Sequence, residues 1–320
     1  MDAGPAWCMA TIEPRVASLT HFTVNSSAAM NMNAPNDDNL LFAVPKKGRL
    51  HDKILKLLEG AGLDYYRPSR VDIAVCSSLP VTLVFLPAAD IATFVGEGKL
   101  DIGITGQDIV AESETTVTEL MPLGFGRCRL AVQAPIASGI TSAAQLAGKR
   151  IVTSFPVVAE QFFQRFEAGE KTKIRYVSGS VEAACGLGLA DGIVDLVETG
   201  TTMRAAGLEI VDTILETQAV LIANPKTTKT ALVKKIHQRI LGYITATKYK
   251  MVTYNISRDK VDDAKRITPG RRSPTVNTLT NGDFSISAMV EKANVSDIMD
   301  QLHEIGATDI LLLDIENCRV

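Results

Sequence analysis

No stretch of this chain is apolar for long enough to cross a bilayer. About 18 unbroken residues are needed, and the longest candidate, Val81–Asp90, is interrupted by Thr82, Pro87 and Asp90. Paired cysteines are also missing. The five present (Cys8, Cys76, Cys128, Cys185, Cys318) are odd in number, far apart and never in a C-x-x-C pair. That argues against a disulfide framework and against a thiolate zinc site. The four histidines (His21, His51, His237, His303) include no H-x-x-x-H pair, so no metal site built from protein ligands alone is expected. A dominant charge is lacking as well: 33 Lys and Arg against 36 Asp and Glu leave −3, which removes the electrostatic reason for nonspecific nucleic-acid binding. By elimination, a cytoplasmic globular chain is the expectation, with no membrane and no nucleic acid among its partners. At about 150 residues per domain, its 320 residues suggest about two domains.

Residues 1–39 are rich in Ser, Asn, Ala, Thr and Met, carry no lasting period and end in Asn36-Asp37-Asp38-Asn39. They read as a disordered N-terminal extension. Transit peptides are Arg-rich and acid-poor, whereas here Arg15 is the only basic residue and Asp2 and Glu13 are acidic.

From Leu40 onward the pattern is regular. Strands at Leu40–Val44, Val71–Val75, Val81–Leu86 and Asp101–Thr105 alternate with helices built on Ile54, Leu55, Leu57, Leu58 and Ala61, on Asp90–Gly98 and from Gly106. A second unit repeats this alternation, with strands Leu130–Gln133, Arg150–Thr153, Ile174–Val177 and Ile193–Val197 and helices Val157–Phe166 and Val181–Leu189. Ile210–Leu221 reads as the chain crossing back. Such alternation implies α/β lobes on mostly parallel sheets, with lobe I at about 40–129 and 206–225, lobe II at about 130–205, and a ligand cleft between them. A linking helix through Leu232, Ile236, Ile240 and Ile244 leads into residues 226–320, whose order β-α-β-β-α-β is ferredoxin-like. The fold class expected is therefore α/β, two-lobed, with a ferredoxin-like C-terminal domain.

The segment richest in chemistry is Glu182 through Met203. Its apolar strand ends with acidic Asp195 and Glu198, then runs through Thr199-Gly200-Thr201-Thr202 into a helix. Backbone N–H groups at a helix start, a glycine allowing close approach and hydroxyl donors together make a phosphate cradle. Carboxylates just ahead of it suit sugar hydroxyls. An ordinary strand-to-helix turn capped by Thr199 or Thr201 is the alternative. A dinucleotide fingerprint fails because Asp191 stands where the third glycine belongs, and no G-x-S-x-G surrounds Ser178 or Ser180.

Two basic loops also sit at strand ends. Lys46-Lys47-Gly48-Arg49 lies at the carboxyl end of a strand, where ligands of open α/β sheets bind, and arginine there offers a bidentate fork to a polyphosphate. Gly124-Phe125-Gly126-Arg127-Cys128-Arg129 enters the second lobe. Cys128, beside two arginines but with no catalytic base in view, reads as a small packed residue and not as a reactive thiol.

The chain resembles the long form of the ATP phosphoribosyltransferase family over residues 40–320. The family signature E-x5-G-x-[SAG]-x2-[IV]-x-D-[LIV]-x2-[ST]-G-x-T-[LM] is met at every fixed position by Glu182, Gly188, Ala190, Ile193, Asp195, Leu196, Thr199, Gly200, Thr202 and Met203. Pro45–Leu50, Asp101–Gly106, Gly126–Leu130 and Thr268–Thr275 are also similar to family segments. The resemblance implies a two-lobed catalytic region at 40–225 like that of type II periplasmic binding proteins, and an ACT-like regulatory domain at 226–320. It implies transfer of the phosphoribosyl group of PRPP to N1 of ATP, releasing pyrophosphate, as the first step of L-histidine biosynthesis. Mg²⁺ with PRPP and pyrophosphate, inhibition by histidine and AMP, and a homo-oligomer in dimer–hexamer equilibrium are implied with it. By residue, Thr199, Gly200, Thr201, Thr202 and Met203 would hold the 5-phosphate, and Asp195 and Glu198 would face the ribose. Arg49 and Lys47 would neutralise the leaving pyrophosphate. Arg127, Arg129 and Glu182 are candidates for ATP, and Thr275 and Asn255 for histidine. A non-catalytic two-lobed sensor or solute-binding protein is the alternative.

Overall fold

The computed structural model describes residues 38–68, 71–167 and 169–320. Nearly all of the expected N-terminal extension, 1–39, lies outside the described residues. The chain begins with β1 (Leu40–Pro45), α1 (His51–Gly60), β2 (Tyr65–Tyr66), β3 (Ile73–Cys76), β4 (Val81–Leu86), α2 (Ala88–Gly96), β5 (Ile102–Gly106), α3 (Gln107–Ser113) and β6 (Thr118–Pro122). It continues with β7 (Cys128–Pro135), β8 (Arg150–Thr153), α4 (Pro156–Phe163), β9 (Lys173–Tyr176), α5 (Ala183–Gly186), β10 (Gly192–Val197), α6 (Thr201–Ala205), β11 (Leu208–Thr217) and β12 (Ala219–Ala223). The last part is α7 (Thr230–Lys248), β13 (Tyr249–Ile256), α8 (Val261–Ile267), β14 (Thr275–Thr278), β15 (Phe284–Glu291), α9 (Val295–Glu304) and β16 (Thr308–Asp314).

Three sheets result: a seven-stranded β2-β3-β4-β1-β5-β12-β6, a five-stranded β11-β7-β10-β8-β9 and a four-stranded β14-β15-β13-β16. In the first, β4, β1 and β5 run parallel. β1 and β5 are almost wholly buried, as apolar runs covered on both faces require. Helix α1 lays Ile54, Leu57 and Leu58 on this sheet, the one-sided stripe of an amphipathic helix. α7 adds Val233, Ile236, Ile240 and Ile244 to the same core, so the linking helix is part of lobe I packing. Lobe II packs Phe155, Val158, Phe162 and Phe163 under β7, β8 and β10. In the C-terminal sheet β13 lies between β15 and β16, antiparallel to both, which is ferredoxin-like order.

Several expectations need correction. Residues 206–225 do not all return to lobe I: β11 pairs antiparallel with β7 along Leu208–Thr217 and belongs to lobe II, so the chain crosses back only at Gln218. The helix expected over Val181–Leu189 is one turn, Ala183–Gly186, and is followed by Gly188 at φ +68, a backbone region that right-handed helices exclude. Four strands go beyond those expected: β2 and β6, at the two edges of the first sheet, and β11 and β12, over the stretch read as the chain crossing back. Edge strands are commonly short or polar, and β2 spans only two residues.

Candidate active site

Two short segments join the lobes and run side by side. The first, between β6 and β7, passes through Gly124–Arg127, and the second turns at Gln218. The Leu123 N–H donates to the Ala219 carbonyl at 2.9 Å, and the Ala219 N–H donates to the Phe125 carbonyl at 3.0 Å. Against these crossovers lies a cavity of about 250 Å³ lined by Arg49, Cys128, Gln133, Glu182 and the stretch Asp195–Gly200, with Thr202 and Met203.

The lobe II wall is the end of β10. Ile193 and Val194 are fully buried and anchor the strand, so Asp195 emerges where the sheet opens. Gly200 turns the chain with φ +73, a conformation that favours glycine. A Cβ there would stand 2.8 Å from Nη1 of Arg204. The guanidinium of Arg204 folds back from α6 and donates to the Thr199 carbonyl at 3.0 Å, while the Thr199 and Thr201 hydroxyls pair at 3.0 Å. Burial pushes the Asp195 carboxyl up to about 6, against the lowering effect of the Leu196 N–H it accepts; the nearby charge of Glu182 adds to the rise. That hydrogen bond is 2.8 Å long.

The lobe I wall is the β1–α1 loop. Arg49 is the only cation among the described residues that line this cavity. Its Nη1 donates to the Gly126 carbonyl at 2.7 Å, which fixes the guanidinium against the first crossover. A second cavity, of about 210 Å³, shares Arg49 and Leu196 and adds Lys47, Asp108, Ile109 and Phe155. Burial drives the Cys128 thiol up to about 11 even though Arg49 pulls it down. It is a protonated packing residue beside the site.

Of the residues expected from sequence, Arg49, Glu182, Asp195, Glu198, Thr199, Gly200, Thr202 and Met203 meet in one cavity. Thr201 is exposed and stands outside it, bonded to Thr199. Lys47 reaches only the adjoining cavity. Arg127 and Arg129 are exposed and line neither. On β7, Cys128 and Leu130 are buried and Arg129 between them is exposed, as strand alternation dictates. In the C-terminal domain, exposed Thr275 lines a cavity of about 440 Å³ with Met251, Arg271, Ser273, Cys318 and Arg319. Asn255 does not line it, and its amide donates to Asp309 at 2.9 Å. Sequence reasoning missed Gln133, Asp108 and Arg204. The i, i+4 spacing from Gly200 to Arg204 was a usable signal, since a side chain one turn into a helix leans back toward its start.

Comparison with known proteins bears on the family and the fold. The family described as ATP phosphoribosyltransferase matches residues 87–242, and the HisG C-terminal domain matches 246–317. An ATP phosphoribosyltransferase of Yarrowia lipolytica is 50% identical over 289 residues, covering 89% of this chain and 98% of its own. One from Saccharomyces cerevisiae is 49% identical over 290 residues, covering 88% and 97%. A solved structure of an ATP phosphoribosyl transferase (HisG:HisZ) complex from Thermotoga maritima superimposes with a TM-score of 0.55 at 30% identity, covering 63% of this chain and 98% of that one. The chain belongs to the ATP phosphoribosyltransferase family, in its long form with a C-terminal domain.

Proposed function

We propose that this transferase moves the phosphoribosyl group of PRPP to N1 of the adenine of ATP and releases pyrophosphate, the first step of L-histidine biosynthesis. What carries the assignment is the meeting, in one cavity, of a cation from lobe I (Arg49) with carboxylates and a Gly-hydroxyl turn from lobe II. Displacement at an anomeric carbon passes through an oxocarbenium-like state, so positioning and charge stabilisation are the protein's tasks. The turn Thr199–Met203 offers backbone N–H groups and hydroxyls to the 5-phosphate. Asp195 and Glu198 accept from the ribose hydroxyls. Arg49 neutralises the departing pyrophosphate, with Lys47 approaching from the adjoining cavity, and Glu182 faces the second substrate. The exposed positions of Arg127 and Arg129 give no support to a role on ATP. No covalent nucleophile is required, in keeping with the protonated Cys128.

Among the described residues no group of three or more His, Cys, Asp or Glu is arranged to hold a metal. Yet three carboxylates line the cavity, and burial makes the charge on Asp195 costly. This donor set fits Mg²⁺ that arrives on the diphosphate and keeps most of its ligands from substrate and water. Asp195 and Glu198 would share it, and it would supply charge neutralisation for the leaving group. The reading extends to a cytoplasmic homo-oligomer, dimer or hexamer, inhibited by AMP and by histidine bound at the Thr275 cavity. Incubation with PRPP, ATP and Mg²⁺ tests the reaction: pyrophosphate and the ultraviolet absorbance of an N1-substituted adenine should rise together. Absence of both from the folded protein would overturn it.

A further inference from the structure

We propose that Asp108 is a positioning residue that sets the direction in which Arg49 presents its guanidinium to the leaving diphosphate. This rests on the leaving-group role given to Arg49 above. Asp108 lies in the first turn of α3 and is only 2% exposed. Its Oδ1 accepts from the Thr217 hydroxyl at 2.7 Å, and its backbone N–H donates to that hydroxyl oxygen at 3.0 Å. Thr217 is the last residue of β11, immediately before the second crossover. The carboxylate is thus tied to one crossover, while Arg49 is tied through the Gly126 carbonyl to the other. Between them, Oδ1 of Asp108 stands 3.9 Å from Nη2 of Arg49.

Two glycines keep this geometry open. A Cβ on Gly106 would fall 2.0 Å from Oδ1 of Asp108, and one on Gly126 would fall 2.3 Å from Leu50 and 3.4 Å from Nη1 of Arg49. A side chain at 106 would displace the Asp108 carboxylate, and one at 126 would strike Leu50 while only touching Arg49.

The separation itself points to steering in preference to simple pairing. A buried carboxylate is costly unless it is fully hydrogen-bonded or paired. A stability-optimised pair would close to a bidentate contact and occupy both nitrogens of the fork. At 3.9 Å the attraction orients the guanidinium but leaves donors on Nη2 and Nε for an anion. A guanidinium held by Gly126 on one nitrogen and drawn by Asp108 on the other has one low-energy direction. A diphosphate then meets a preset fork.

Steady-state kinetics and thermal midpoints of Asp108→Ala, Asp108→Asn, Arg49→Ala and the double variants test this. Arg49→Ala should lower kcat by about 10²–10³, as loss of one preorganised charge-stabilising donor does. Asp108→Ala should lower kcat about 10-fold, within the coupling range of residues in contact, with little change in KM for ATP. Asp108→Asn keeps an acceptor for Thr217 and should recover part of that loss. In the Arg49→Ala background neither Asp108 substitution should lower kcat further, although each should lower the thermal midpoint as it does alone. Additive losses in the doubles, or wild-type kcat in Asp108→Ala, would overturn the proposal. If Asp108→Ala does not fold, Asp108→Asn in the two backgrounds makes the same comparison. Wild-type kcat in Arg49→Ala would instead refute the leaving-group role of Arg49, and the proposal with it.

Discussion

Asp195→Asn separates what this residue does for folding from what it does for substrate. The carboxyl is held at about 6 against an ordinary 3.8, chiefly by burial. One pK unit corresponds to about 1.4 kcal/mol, so its charged form is disfavoured in the folded chain by up to about 3 kcal/mol. The sign follows from proton counting. Between the ordinary value and about 6 the folded chain keeps a proton that the unfolded chain has lost, so stability falls as pH rises through that window. Above about 6 the whole penalty is present. Below about 4 both states are protonated and it vanishes.

Asparagine keeps an oxygen for the Leu196 N–H but carries no charge. The variant should therefore match wild type near pH 4 and exceed it by about 2–3 kcal/mol near pH 8, as read from urea unfolding at several pH values. Binding should move the other way. A sugar hydroxyl donating to a carboxylate makes a charge-assisted hydrogen bond worth about 1.5–3 kcal/mol, so loss of one should lower PRPP affinity about 10- to 100-fold in calorimetric titration. A stability difference that does not change with pH would refute the burial argument, and wild-type PRPP affinity would refute the ribose role.

Three further tests bear on other parts of the molecule. Thr202→Val, at an exposed position, should weaken PRPP binding by one charge-assisted hydrogen bond, about 1.5–3 kcal/mol, without moving the thermal midpoint; unchanged affinity would remove Thr202 from the phosphate turn. Gly242→Ala should destabilise by about 1–3 kcal/mol through overpacking, because its Cβ would fall 1.9 Å from the Cys318 carbonyl oxygen. Elsewhere in a helix the same change stabilises by about 1 kcal/mol, so a raised midpoint would contradict the packing. Thr275→Val should relieve inhibition by histidine while leaving uninhibited kcat unchanged, and inhibition retained at unchanged histidine affinity would remove Thr275 from that site.

What was legible in the sequence was whatever local pattern controls. Val81–Leu86 and Arg150–Thr153 form strands over the residues anticipated, because short apolar runs bounded by turn residues have few alternatives. The β10–α6 segment was legible because acids, glycine and hydroxyls in fixed order specify one backbone path. Pairing was not legible. β11 has a strand's composition whether it joins one sheet or the other, and only its bulged register with β7 assigns it. Arginine was read by its charge at 127 and 129, while alternation along β7 decides where the side chain of Arg129 points. Asn255 is suggested by its place at the end of the strand before the Thr268–Thr275 turn, yet its amide is spent on Asp309, 54 positions away. Asp108 gave no signal, since its partner Thr217 lies 109 positions along the chain.

The C-terminal domain is joined to the Arg49 loop by more than the linking helix. Ile236 and Ile240 of α7 lie in the lobe I core, and the α7 ring of Tyr243 fills the space where Gly60 would carry a Cβ. The chain's last residues then return across the same helix. Cys318 Sγ donates to the Gly242 carbonyl at 3.1 Å, and the Asn317 amide donates to the Gly60 carbonyl at 2.6 Å. Gly60 ends α1, and Leu50 and Arg49 precede its first turn. Cys318 and Arg319 also line the cavity that contains Thr275. Helix α1 therefore has the candidate leaving-group arginine at one end and, at the other, the tail that walls the Thr275 cavity. A ligand there can alter catalysis only through its differential affinity for two arrangements of these contacts. Among the described residues, the two hydrogen bonds of the tail and its close seat on Gly242 are contacts open to such a change.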